Sequence, residues 1–214
     1  MAHPSDSGPR PFWNARQAPA RVYNDNVVLA VLLAILFIAA PAMSGPGDAL
    51  IGGPSPDWPA RQWVQGGPLQ LAGLRGKVVL LRFFMDAGCP YCSATAPALN
   101  ALHEEFGPRG LVVIGMYTPK PRPRPTAVEQ VKGYVAAYGF EFPVAVDDDW
   151  AALRRLWLDR VPGADFTSSS LLLDRQGVVK HVHPGGVYAP NTGDASARRD
   201  YDALRSAIER ALAR

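Results

Sequence analysis

The stretch Asp86-Ala87-Gly88-Cys89-Pro90-Tyr91-Cys92 holds the only two cysteines of the chain, three positions apart. If Pro90 opens a helix, where its fixed φ and missing N–H cost nothing, Cys89 becomes the N-cap and Cys92 follows one turn later on the same face. The two sulfurs then lie within bonding reach. The positive dipole end and unpaired N–H groups of a helix start lower a thiol's pKa, so the spacing predicts Cys89 as a thiolate nucleophile and Cys92 as the resolving thiol. A structural zinc site wants about four Cys or His ligands, usually two such pairs, and there is no second pair. A purely structural bridge over about four residues would contribute only about 2 kcal/mol on the loop-closure model, against nearly 5 for a loop of about a hundred. Redox chemistry by the pair itself, without cofactor or metal, is the expectation; a structural disulfide and a metal site stand as alternatives.

The elements around the pair must hold it at the end of a strand. Lys77-Val-Val-Leu-Leu-Arg-Phe-Phe84 is a continuous β-branched and aromatic run, the mark of a strand buried on both faces, and it delivers the chain to Cys89. Before it, the alternation in Gly67–Leu74 predicts a short strand or hairpin. After it, a helix over Tyr91–Phe106 is expected, with Pro97 kinking it and Gly107-Pro108 ending it. His103 on that helix reads as an ordinary surface residue. Leu111–Met116 is a second buried strand. Thr118–Pro125 is expected to be extended, solvent-facing polyproline, a plain spacer in preference to a docking site. Thr126 and Glu129 form a capping box for a helix reaching Tyr138. Phe142–Val146 is a strand, and Asp147-Asp148-Asp149 caps a helix over Trp150–Leu158, a reading preferred to a calcium site. Two strands, Ser169–Leu173 and Val178–His183, turn at Gly177. The last helix, Ala197–Ala213, puts Leu204, Ile208 and Leu212 on one face. In α/β sheets, catalytic sites form beyond the carboxyl ends of strands, where Cys89 falls.

The 214 residues, 48% hydrophobic, suffice for one sizeable core plus an appendage. The net charge is only +3 and the basic residues are scattered, so nothing supports nucleic-acid binding. Residues 1–26 read as a disordered cytoplasmic N-terminus. From Val27 the chain is apolar to Met43, a length that as a helix rises roughly 25 Å, borderline between a spanning helix and a signal-peptide core. Cleavage after Ala42 fits the small-x-small pattern, but the long leader with Asp25 favours an uncleaved anchor. Because Arg10, Arg16 and Arg21 precede the run, the residues after it are expected on the far side of the membrane, periplasmic or otherwise extracytoplasmic. There a lone cysteine pair is normally closed, and something must keep it open if it is to reduce a partner. Residues 44–62 read as a Pro/Gly-rich linker, with the folded domain spanning 63–214.

Taken together, Lys77–Phe84, Cys89-Pro-Tyr-Cys92 with Pro97 five positions on, Gly110-Leu-Val-Val-Ile-Gly and Leu171-Leu-Leu-Asp-Arg-Gln-Gly177 resemble the TlpA/ResA-type thioredoxin-like proteins of bacteria, in the AhpC/TSA-redoxin superfamily. The resemblance covers roughly residues 63–213. It implies an α/β thioredoxin-like fold, with a central mixed sheet flanked by helices behind the N-terminal anchor or signal helix. It also implies a thiol-disulfide oxidoreductase in which Cys89 attacks a partner disulfide and Cys92 resolves it. The implied partners are disulfides of exported proteins, as in cytochrome c maturation, and a membrane or periplasmic thiol-disulfide protein for recycling. Asp86, Gly88, Pro90 and Tyr91 complete the active-site loop.

Three positions depart from the family pattern. Where the family has a cis-proline, this chain has Thr167-Ser168-Ser169-Ser170, so Thr167 and Ser168 become the candidate partner contacts. Arg82 stands where relatives carry an uncharged or acidic residue, leaving Asp86 as a candidate for the missing carboxylate. Met85-Asp-Ala-Gly88 replaces a tryptophan-containing stretch. Peroxiredoxins share the fold, but Arg82 and Asp86 occupy the positions of their loop's proline and hydroxyl residue, which makes peroxidase activity the weaker enzyme reading. In a different class, a copper metallochaperone could use the two thiolates, with His181 and His183 sharing one strand face; both histidines read instead as surface residues.

Overall fold

The computed structural model describes residues 45–164 and 166–214. The expected N-terminal segment 1–26 and the apolar run 27–43 lie outside them. Among the described residues no helix is long and apolar enough to cross a membrane.

Six strands form one mixed sheet in the order β1-β4-β3-β2-β5-β6. They are β1 (Gln62–Gln65), β2 (Val78–Phe84), β3 (Leu111–Tyr117), β4 (Val144–Val146), β5 (Ser170–Leu173) and β6 (Val179–His183). The apolar run of β2 is central, parallel to β3 and antiparallel to β5, and every residue in it is buried. Helices α1 (Pro90–Phe106), α2 (Val128–Tyr138) and α4 (Ala195–Leu212) contribute to one core. It holds Leu80 and Phe84 of β2 with Leu99, Leu102, Val131, Tyr138, Leu204 and Ile208. The opposite face of β2, with Val79, Leu81 and Phe83, packs into a second core with Leu153, Leu156 and Trp157 of α3 (Ala151–Leu153, continued by a wider π turn over Arg154–Leu158). Strand alternation thus divides one hydrophobic run between two cores.

The expected strand or hairpin at Gly67–Leu74 is absent. The edge strand is β1, before it, and Leu71–Leu74 forms a 3-10 turn that buries Leu71 and Leu74. The period-2 pattern is also compatible with a single tight turn whose two leucines face the core. Residues 45–61 are not a free linker, and ordered structure precedes Trp63. Leu50 and Trp58 are buried, Trp58 Nε1 donates to the Leu69 carbonyl at 2.9 Å, and backbone bonds tie Gly52 and Gly53 to Val179. Glycine and proline here shape a strap that covers the open side of β6.

The capping box at Thr126 is not formed. Helix α2 starts two residues later, after Ala127; Thr126 Oγ1 donates to the Arg124 carbonyl, and Glu129 pairs with Lys132. The aspartate cap of α3 is present and shared: the Asp147 carboxylate accepts from Ala152 N–H at 2.7 Å and Leu153 N–H at 2.9 Å, and that of Asp149 from Ala151 N–H at 3.0 Å. Trp150, directly before this helix, holds φ +63, a left-handed conformation unusual for a large residue. Its indole N–H reaches the Pro119 carbonyl at 2.8 Å. Asp148 accepts from Arg124 N–H through its carbonyl and from Thr126 N–H through its carboxylate. The Pro-rich stretch is exposed over residues 121–125 but pinned at both ends, and so is a shaped loop, not a spacer.

Candidate active site: a cysteine pair over an apolar cleft

β2 ends at Phe84, and the chain turns once before α1 begins. Asp86 makes that turn: its carboxylate accepts from Gly88 N–H at 3.1 Å and its carbonyl from Cys89 N–H at 3.1 Å. Tyr138 of α2 donates its hydroxyl to the same carbonyl at 2.6 Å. Asp86 and Gly88 therefore shape the loop, and no ion pair engages Asp86 among the described residues. Pro90 is the first residue of α1 and Cys89 its N-cap, with the Cys89 sulfur accepting the backbone N–H of Cys92 at 3.3 Å. An N-cap sulfur in this position faces the unpaired N–H groups of the first turn. Both cysteines are free thiols, at 6% and 3% exposure.

Cys92 lies deeper. Burial and the hydrogen bond to Cys89 push its thiol up to about 12, while a backbone contact from Met85 and the Arg82 guanidinium pull the other way. Burial and the nearby Cys92 likewise raise the Tyr138 hydroxyl.

In front of Cys89 lies a cleft of about 300 Å³ lined by Phe84, Met85, Cys89, Tyr91, Lys120, Pro121, Phe166, Thr167 and Ser168. Tyr91 and Phe166 are half-exposed aromatics on its rim. Cys89, Tyr91, Thr167 and Ser168, far apart in sequence, thus meet at one surface, whereas Pro90 is exposed and lines no part of it. Sequence reasoning missed Phe166, Lys120 and Pro121. The last two lay within a stretch taken as a spacer, and Phe166 is a lone aromatic with no periodic signal.

His181 and His183 do not meet the cysteines in a ligand cluster. Among the described residues no group of three or more His, Cys, Asp or Glu could hold a metal. Contrary to the surface expectation, His183 is 4% exposed; it packs edge-on against Tyr188 and lies 3.4 Å from Asp200. The helix α4 covers this strand face. His103 also packs, edge-on against Phe142.

A parallel β2-β3-β4 core with an antiparallel β5-β6 hairpin, and a Cys-x-x-Cys pair capping the helix after the central strand, defines a thioredoxin-like redox domain. Among solved structures, a DsbE thiol:disulfide interchange protein from Chlorobium tepidum aligns with a TM-score of 0.58 at 23% identity, covering 76% of this chain and 97% of that one. A thiol-disulfide isomerase from Corynebacterium glutamicum aligns with a TM-score of 0.55 at 24% identity, over 75% and 97%. Residues 56–200 match the Redoxin family, and the chain belongs to it. Its relatives include the protein DipZ of Mycobacterium tuberculosis, 32% identical over 55% of this chain and 16% of DipZ. They also include the thiol-disulfide oxidoreductase ResA of Halalkalibacterium halodurans, 25% identical over 58% of this chain and 63% of ResA. The chain thus spans less than two thirds of these curated relatives. The TlpA/ResA-type assignment made from the motifs stands.

Proposed function

We propose that this protein is a thiol-disulfide oxidoreductase that exchanges disulfides with exported proteins. The observation that carries the reading is the Cys89 sulfur, at the N-cap of α1 and opening onto an apolar cleft, with Cys92 one turn behind it. Cys89 attacks a partner disulfide, and the Cys89–partner S–S bond forms as the partner's second sulfur leaves. Cys92 then attacks Cys89, closing the Cys89–Cys92 bond and releasing the partner's first sulfur as a thiol. The pair gives up two electrons and no cofactor is involved. Thr167 and Ser168 supply polar groups beside an otherwise apolar cleft, suited to the backbone of an extended partner segment.

The apolar run at 27–43, preceded by arginines, supports attachment to the inner membrane with the redox domain on the extracytoplasmic side. Export places the domain among oxidising proteins, so a reducing role requires recharging by a membrane or periplasmic thiol-disulfide partner. Exported proteins whose cysteines must stay reduced, as in cytochrome c maturation, are the substrates that the likeness to ResA supports.

The test is turnover of a protein disulfide by single variants. Cys89→Ser is expected to abolish exchange, and Cys92→Ser to accumulate mixed disulfides; efficient turnover by either would overturn the two-thiol scheme. The reduction potential fixes the direction. A value near −270 mV, roughly that of thioredoxin, is expected for a reductase, and one of about −120 to −180 mV would reassign the protein as an oxidant or isomerase.

A further inference from the structure

The loop between β3 and α2 reads Thr118-Pro-Lys-Pro-Arg-Pro-Arg-Pro-Thr126, with three cations, four prolines and no acidic residue. It is held from both sides. Thr118 N–H donates at 2.8 Å to the carbonyl of Phe84, the last residue of β2, so the loop leaves the sheet beside the segment that leads to Cys89. Trp150 Nε1 donates to the Pro119 carbonyl at 2.8 Å, Arg124 N–H to the Asp148 carbonyl at 3.0 Å, and Thr126 N–H to the Asp148 carboxylate at 3.0 Å. Arg124 also closes the loop on itself, its Nη1 donating to the Lys120 carbonyl at 3.0 Å. Each proline fixes one φ, so the segment between these bonds has little conformational freedom left to lose when a partner binds.

The three cations are placed differently. Arg124 borders a depression together with the acidic Asp148 and Asp149. Lys120 and Pro121 line the cleft in front of Cys89, and the Lys120 ammonium stands 5.3 Å from the centre of the Trp150 ring. Arg122 follows Pro121 directly and is exposed. Among the described residues that line the cleft, Lys120 alone carries a charge; the others bring aromatic and apolar side chains, the Cys89 thiol and the hydroxyls of Thr167 and Ser168. A cleft of about 300 Å³ is roughly 7 Å across, and two residues of extended chain rise about 7 Å with their side chains on one face. A segment whose cysteine meets Cys89 therefore brings side chains about two positions away to Lys120 and Pro121.

We propose that the loop over residues 118–126 is a preorganised basic lip of the active-site cleft, and that the partner segments it favours carry Asp or Glu beside the cysteine that Cys89 attacks. Lys120 and Arg122 attract that carboxylate, speeding encounter and fixing which way the segment lies, while Phe84, Met85 and Phe166 take its apolar side chains. The inference rests on the oxidoreductase reading and adds to it the charge of the substrate.

The experiment uses three synthetic peptides that differ only in carrying Glu, Gln or Lys two positions to either side of one cysteine, each cysteine joined by a disulfide to a coloured aryl thiol. Reduced full-length protein is mixed with each in stopped flow. Cys89 gives its proton to solvent and attacks the peptide sulfur; the Cys89–peptide bond forms, the peptide–aryl bond breaks, and the aryl thiolate is released and read by its colour. Each rate is divided by that of a small uncharged thiol with the same peptide, which removes the peptide's own reactivity. The ratio of the Glu to the Lys rate then reports the net field at Cys89, Asp165 included. It is expected to be about ten at about 0.01 M ionic strength, where the screening length is about 30 Å, and to fall close to one at about 1 M, where it is about 3 Å. Lys120→Gln/Arg122→Gln is expected to lower the low-salt ratio to about two or less, and Lys120→Glu/Arg122→Glu to invert it. Because each protein is compared with itself, a variant of lower overall activity still answers, and the salt series needs no variant. A parent ratio near one, a ratio indifferent to salt, or a double Gln variant that keeps the parent ratio would overturn the proposal. Failure to react with any of the three peptides would instead remove the oxidoreductase reading, and the lip with it.

Discussion

At the scale of single residues, the site rests on two kinds of side chain: sulfurs that react and rings that select what reaches them. Phe166 is half-exposed on the cleft rim, with its backbone carbonyl held by Trp157 Nε1 at 2.8 Å, so its ring is presented from a fixed point. Half-exposed aromatics on a reactive cleft lose area to water only when a partner binds. Phe166→Ala is therefore expected to raise KM for a protein disulfide several-fold, about 1–2 kcal/mol of lost contact, with little change toward a small disulfide reagent. Equal losses for both substrates would show that the ring supports the fold and not recognition. The sulfur spacing and the cap were legible directly, because Pro90 in a first turn leaves Cys89 and Cys92 little geometric choice. Phe166 was not legible, since nothing in a lone phenylalanine marks which surface a loop will bring it to.

At the scale of elements, Asp147 joins α3 to the sheet. Its carboxyl accepts two backbone N–H groups yet is buried, and burial pushes it up to about 6 despite those bonds. Between the ordinary carboxylate value and about 6, the folded state holds a proton that the unfolded chain has released. This contribution to stability is present at low pH and lost as pH rises through about 6. His183 acts in the opposite sense: with its pKa near 4, its contribution is present above the ordinary histidine value and lost as pH falls toward 4. Asp147→Asn is expected to leave the His183 slope uncovered, so that stability climbs more steeply from pH 4 to 6.5 than in the parent protein. Urea unfolding across that range checks it; parallel pH profiles would mean that Asp147 ionises normally in the fold. A cap by one of the three aspartates was foreseen from their place before an apolar helix. That Asp147 and Asp149 share it, and that Asp148 pins the Pro-rich loop instead, depended on how that loop folds back over Trp150.

For the whole molecule, residues 45–61 decide where the domain begins. They bury Leu50 and Trp58 in the second core, bond to Val179 of β6 through Gly52 and Gly53, and bond to Gly177 in the turn before it through Ser55 N–H. A fragment starting at residue 63 is expected to be less stable than one starting at residue 45 by about 4 kcal/mol or more, the scale for losing a buried tryptophan and leucine. Matched urea midpoints would show instead that the strap merely rests on the domain.

The sequence by itself determined the redox pair, the buried strands β2 and β3, and the order of helices and strands from β2 onward. Cysteine spacing, unbroken β-branched runs and helical periodicity are local signals that the backbone must obey. Only the tertiary structure decided which side chains share the cleft with Cys89, that the Gly- and Pro-rich segment packs, and that His183 is buried. It also decided that Arg82 lies buried against Ser170, Tyr188 and the Gly186 carbonyl. Those outcomes turn on contacts between segments many residues apart, where a residue's role is set by what the fold places beside it.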